Sequence, residues 1–174
     1  GEWLFEADEV VVETDVMPLE DFWKIQEFWL FTALTYYAAY LKELLFHALN
    51  YGISVLDLQD ELFTNPESYP FMDHVKTDHM KTWKSIFFAT REDLHNALVE
   101  DIESVGNVDR FNRFRQMELT QGMVLSGTNK AIFVEECFAA IRAIYTRNYG
   151  DQDQVFFDIL DEISRFTLDI IISP

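Results

Sequence analysis

The residues best suited to chemistry in this chain are its histidines, its single cysteine and its many carboxylates. Glu92-Asp93-Leu94-His95 is a Glu-x-x-His run. On a helix that spacing brings a carboxylate and an imidazole to one face. Di-iron bundles use it, but they need two such runs and two further glutamates on facing helices. Only one copy is present, so His95 reads as an exposed helix residue. His74 and His79 each follow an aspartate but stand five apart, whereas helical ligands need a spacing of three or four. Cys137 lies in the run from Phe133 to Ala140 and reads as a small buried hydrophobe rather than a nucleophile. Being the only cysteine, it excludes an internal disulfide and a cysteine-based zinc site. There is no Gly-rich phosphate loop, no His-Glu-x-x-His and no nucleophile elbow. The expectation is a protein that is not an enzyme and that carries no metal and no cofactor.

The elements that would position these residues read as helices. The chain has 174 residues, enough for one domain, of which 49% are hydrophobic and 16% aromatic. Six glycines and four prolines suit long helices better than a turn-rich β fold. Residues 1–17 form an acidic lead with Glu2, Glu6, Asp8, Glu9, Glu13 and Asp15 and no base, read as the end of a truncated element. From Pro18 apolar residues recur at helical spacing through Phe22, Ile25, Trp29, Ala33, Leu44 and Ala48. This predicts either one long helix to Asn50 or two helices meeting near Thr35–Ala38. Ser54 with Asp57, and Thr90 with Asp93, carry the spacing of N-terminal caps. Further helices are expected from Ser54 through Phe63, over Met72–Ala89, from Thr90 to a close at Gly106-Asn107, from Asp109 to Val124, over Ala131–Asn148, and from Val155 to about Ile172. In the last of these, Phe156, Ile159, Ile163, Phe166 and Ile170 share one side. Helix pairs turn over roughly every 40 residues, a period typical of helical repeats. The expected fold is all-α, stacked antiparallel helix hairpins in a TPR-like α-solenoid over 18–174, with a globular helical bundle as the alternative.

Charge narrows the partners. The net charge of −18 repels nucleic acid phosphates and anionic membranes. It is read first as solvated helix faces, with a DNA-mimic or inhibitor protein as an alternative function. No signal peptide or membrane-spanning stretch is visible, because Lys42, Glu43 and His47 interrupt the apolar run from Phe28 to Leu49. A reducing, cytoplasmic setting is expected.

Two segments carry a family resemblance. One is Tyr40-Leu41-Lys42-Glu43-Leu44-Leu45-Phe46-His47-Ala48-Leu49 followed by Leu56 and Leu58. The other runs through Asp109-Arg110-Phe111, Gly122, Gly127-Thr128-Asn129, Ala140-Ile141-Arg142-Ala143-Ile144 and Tyr149-Gly150-Asp151. In order and spacing they resemble the C-terminal helical-repeat domain of the Rgg/MutR family of Gram-positive transcription regulators, from about Leu19 to Ser164. The stretch around Gly122 is also similar to a tetratricopeptide repeat, with Phe138 following at the expected distance. Val134, Ile141 and Thr146 depart from that repeat's small residues and proline.

The resemblance implies the sensory and dimerisation domain of a quorum-sensing type of regulator. Such a domain forms a homodimer and binds a short hydrophobic peptide or small apolar ligand in a concave groove. DNA is reached only through a helix-turn-helix domain that this chain does not contain, and Gly1 in place of Met fits an excised fragment. Taking Gly122 as the repeat glycine puts Asn112, Gln116, Leu119 and Met123 on the concave line, where the amides would pair with a peptide backbone and Met would adapt to apolar side chains. Ordinary inter-helix contacts are the competing reading of the same residues. A metal-dependent bundle enzyme at Glu92 and His95 stands third.

Overall fold

The computed structural model describes residues 13–37, 41–106 and 113–172, with the side chains of residues 36, 37, 105, 113–117 and 172 excepted. Among the described residues the chain is all-α and has no strand. Its helices are α1 (Leu19–Tyr37), α2 (Lys42–Asn50), α3 (Val55–Thr64), α4 (Pro70–Lys84), α5 (Arg91–Val105), α6 (Arg113–Val124), α7 (Gly127–Tyr149) and α8 (Gln154–Ile172). The acidic lead falls largely in residues 1–12, outside the described residues, as do Tyr40 and residues 109–112 of the two family-like segments.

Local chemistry sets most helix ends. Ser54 Oγ accepts from Asp57 N at 3.2 Å while Ser54 N donates to Asp57 Oδ2 at 2.7 Å, so the capping box opens α3. The Ser54 hydroxyl, which donates to Asp57 Oδ2 at 2.7 Å, and then the Ser54 backbone N–H hold the Asp57 carboxyl below its ordinary value. Thr90 caps α5 through its hydroxyl oxygen, which accepts from Asp93 N at 3.1 Å. Gly106 ends α5 in the left-handed region at φ 71°, which costs a glycine nothing. Pro70 occupies the first turn of α4, so that helix begins two residues earlier than the apolar pattern alone predicts.

Long-range contacts decide how the helices assemble. In a stacked array each helix pair would meet only the pairs beside it. Here α2 packs on α8, α3 on α7, and α1 on both α4 and α6. The first half of the chain thus closes on the second, which follows the bundle alternative rather than the stacked-hairpin arrangement. Helix α7 is the hub, touching α3, α4, α6 and α8. It buries Phe133, Val134, Cys137, Phe138, Ala140, Ile141, Ile144 and Tyr145, an arc too wide for one neighbour to cover. The core around it includes Leu30, Phe31, Leu44, Leu58, Leu62 and Met72, with Phe156 and Leu160 from α8.

Three polar ties join the halves. The Glu136 carboxylate on α7 accepts from Phe71 N and Met72 N at 2.9 Å each, satisfying two free amides of the first turn of α4. Arg147 Nη1 on α7 donates to Glu61 Oε2 on α3 at 2.8 Å, and Tyr69 Oη donates to Glu61 Oε1 at 3.1 Å. Glu61 is buried, so the pair satisfies a charge that could not stand alone there. His47 Nε2 lies 3.3 Å from the Phe156 carbonyl oxygen, tying α2 to α8.

Candidate functional site

The line Asn112, Gln116, Leu119 and Met123 is not assembled into a groove by the described residues. Asn112 lies outside them, and Gln116 is on α6 but its side chain is not described. Leu119 is half-exposed, whereas Met123 is half-buried and packs against the core. The Met123 carbonyl accepts from Asn129 Nδ2 at 3.0 Å, which fastens the end of α6 to the start of α7.

The candidate chemical residues separate as well. Glu92 and His95 are exposed on α5, and no group of three or more metal-binding side chains occurs among the described residues. His74 is exposed while His79 is buried, the opposite faces that a five-residue spacing gives. Cys137 is fully buried, and burial pushes its thiol up, away from the thiolate form. Every helix carries at least one exposed carboxylate, from Glu20 on α1 to Asp158 on α8. Asp158, Asp161, Glu162, Ser164 and Arg165 line an open depression on the surface of α8 alone. Among the described residues no helix is long and apolar enough to cross a membrane.

Two other features are built as sites. The first is the outer edge of α8. Val155, Ile159, Phe166 and Ile170 stand there 63%, 38%, 58% and 52% exposed. Sequence periodicity places Ile159, Phe166 and Ile170 with Phe156 on a core face, but the core takes only Phe156, Phe157, Leu160 and Thr167 in full. The apolar arc of α8 is wider than its neighbours cover, and that width is the signal in the sequence that some of it faces out. Phe46 and Leu49 are also exposed on α2, the helix packed beside α8.

The second feature is internal, where α1, α4 and α6 meet. Helices α1 and α4 run antiparallel, since Trp29 meets Trp83 on α4 at 5.6 Å, and Phe22, two turns earlier on α1, meets Phe87, just past the end of α4, at 5.6 Å between ring centroids. One turn on from Trp29 is Thr32, and one turn back from Trp83 is His79. His79 is 1% exposed, and its Nδ1 lies 3.0 Å from Thr120 Oγ1 of α6. Burial drives its pKa down to about 4, so the ring is neutral near pH 7. His79 Nε2, Trp83 Nε1 and Thr32 Oγ1 are all buried without a hydrogen-bond partner. Each such group, where no water reaches it, costs about 1–3 kcal/mol. Sequence reading sees Val75, His79 and Trp83 as one helix face but cannot see that the polar atoms on it go unmatched.

No protein-family model matches the chain, and no curated protein or solved structure matches it either.

Proposed function

We propose that this domain acts by association rather than catalysis: two copies join through α8 as the pairing and sensing part of a transcription regulator. The observation that carries the pairing is the spacing of the exposed α8 stripe. Val155, Ile159, Phe166 and Ile170 are separated by four, seven and four residues, a symmetric series. A two-fold axis between residues 162 and 163 sets Val155 against Ile170 of a second copy and Ile159 against its Phe166. Such an isologous, self-complementary face is what closed dimers use. The same axis brings Arg165, the one cation of α8, between Asp158 and Glu162 of the second copy.

Area and charge fit this arrangement. At these exposures the four side chains offer roughly 400 Å² per copy, about half the share one partner gives to a standard interface. Phe46 and Leu49 are exposed too, on α2, the helix that packs on α8. Each copy carries −18, so salt, which screens the repulsion between them, should tighten pairing. The regulator and sensing roles are supported by the resemblance to Rgg/MutR proteins, whose helical domains take short hydrophobic peptides.

Sedimentation velocity tests the pairing. A dimer is expected at micromolar concentration, tighter at 0.5 M than at 0.05 M salt by about tenfold or more. Ile159→Glu with Phe166→Glu should give a monomer of unchanged helical circular dichroism. A wild-type monomer at high concentration removes the reading. Labelled apolar peptides titrated into the dimer test the sensing role, which fails if none binds saturably.

A further inference from the structure

The exposed stripe of α8 says what pairs but not in which sense. Val155, Ile159, Phe166 and Ile170 have the same spacing read from either end, so a second copy fits along them parallel or antiparallel. The two flanks of the stripe differ. At about 100° of rotation per residue, the stripe takes up about 60° of the helix circumference. Round one side of it come Glu162, Asp169, Asp158, Arg165 and Asp161 in that order, all exposed. Round the other side comes half-buried Ile163, followed by the buried Phe156, Thr167 and Leu160. One flank is charged and the other belongs to the core.

Symmetry then decides which flanks meet. A two-fold axis at right angles to the paired helices lays charged flank on charged flank. An axis parallel to them lays each charged flank beside the core flank of the other copy. Arg165 therefore reaches carboxylates of a second α8 only in the antiparallel sense, where it stands level with the stretch from Asp158 to Glu162. Within that stretch Asp161 is already engaged, because Arg142 of α7 donates to it in the same copy. Asp158 accepts from Gln154 Nε2 at 2.8 Å, a neutral donor that does not cancel its charge. Arg165 is the single cation of α8 against four carboxylates, so without it the charged flank offers a second copy only like charge. We propose that Arg165 selects both the sense and the identity of the partner: a second copy of this chain, antiparallel, whose Asp158 and Glu162 receive it. This rests on the pairing reading and goes beyond it by assigning orientation to charge rather than to the apolar stripe.

Exchange of charge between full-length chains is the test. Arg165→Glu, and separately Asp158→Lys with Glu162→Lys, should each self-associate about tenfold or more weakly than wild type, because like charges then meet across the seam. Mixed one to one, the two should form a heterodimer about as tight as the wild-type pair, since each supplies the sign the other needs. A control partner carries Glu92→Lys with Glu100→Lys, the same change of charge at exposed positions of α5, and should leave Arg165→Glu monomeric. Fluorescence-detected sedimentation of labelled Arg165→Glu reads every mixture, and circular dichroism checks that each variant is as helical as wild type. A mixture that stays monomeric overturns the proposal. So does equal recruitment by the α5 control, which would reduce the effect to net charge. If wild type pairs and Ile159→Glu with Phe166→Glu abolishes pairing, while the exchanges change nothing, the pairing stands and the selecting role of Arg165 falls. A wild-type monomer removes both.

Discussion

Phe156→Ala should lower the unfolding free energy by about 3–5 kcal/mol, the usual cost of emptying a fully buried phenylalanine site. The expectation comes from what this ring holds. Phe156 is completely buried and stacks on Tyr145 of α7, with centroids 3.5 Å apart and planes 9° from parallel. On its other side it stacks on His47 of α2 at 4.8 Å and meets Tyr51 edge-on at 4.9 Å. Aromatic pairs of this kind add about 0.5–1.5 kcal/mol beyond the area they bury. One side chain therefore fixes α8 to α7 and to α2 together, in a fold whose whole stability is on the order of 5–15 kcal/mol. Phe156→Leu keeps much of the volume and should cost less, about 1–2 kcal/mol. Urea unfolding followed by circular dichroism measures both. An alanine variant within 1 kcal/mol of wild type would mean that α8 is not seated on this ring. Because Phe156 sits beside the outer stripe on the same helix, the alanine variant should also weaken pairing, which makes it a poor choice for separating folding from association.

Acid should weaken the fold well above the carboxylate range. His79 has a folded pKa of about 4, lowered by burial, against an ordinary value of 6.5. Between those values the unfolded chain binds a proton that the folded chain refuses. The unfolded state then holds more protons, so stability falls as pH falls through the window from 6.5 to 4. A gap of that width is worth roughly 3 kcal/mol once pH lies below both values. His47 is shifted in the same direction, again by burial, and adds to the slope. Asp57 and Asp153 are lowered instead, by hydrogen bonds from Ser54 and from Tyr145. Their stabilisation is present above the ordinary carboxylate value and disappears only at lower pH, so the histidine window is separable. The measurement is urea unfolding at pH 7, 5.5 and 4.5 on wild type and on His79→Leu. The variant should show a visibly flatter profile; parallel profiles would place the acid sensitivity elsewhere.

What could be read in advance was local. Ser54 with Asp57 and Thr90 with Asp93 specify helix starts through bonds three residues long, and both are formed. Apolar spacing in α7 marked Phe133, Cys137, Ala140, Ile141 and Ile144, and all are buried. Gly127-Thr128-Asn129 reads as a break before a helix at Ala131, yet α7 begins at Gly127. The glycine makes the turn itself at φ 54°, so no separate linker is needed. Spacing along one helix cannot say which helix it meets, and the order α2 to α8 and α3 to α7 is set by such distant choices. For the same reason the outer stripe of α8 and the unmatched atoms around His79 were hidden. Ile159 and Phe156 look alike in sequence, and only the limited width of α2 and α7 leaves one covered and the other bare. The concave line through Leu119 and Met123 depended on an open array, whereas α6 packs against α1, α4 and α7.

The clamp from Glu136 to the start of α4 has a consequence for synthesis. The amides it holds lie 65 and 64 residues nearer the ribosome's first products than the carboxylate that completes them. Glu61 waits still longer for Arg147, across 86 residues. While the early helices emerge, they carry an unfinished helix end and a carboxylate with no counter-ion, and neither defect is mended until α7 has left the exit tunnel. The nascent front half therefore lacks partners that only α7 brings, and α3 and α4 are expected to settle late, once α7 has emerged.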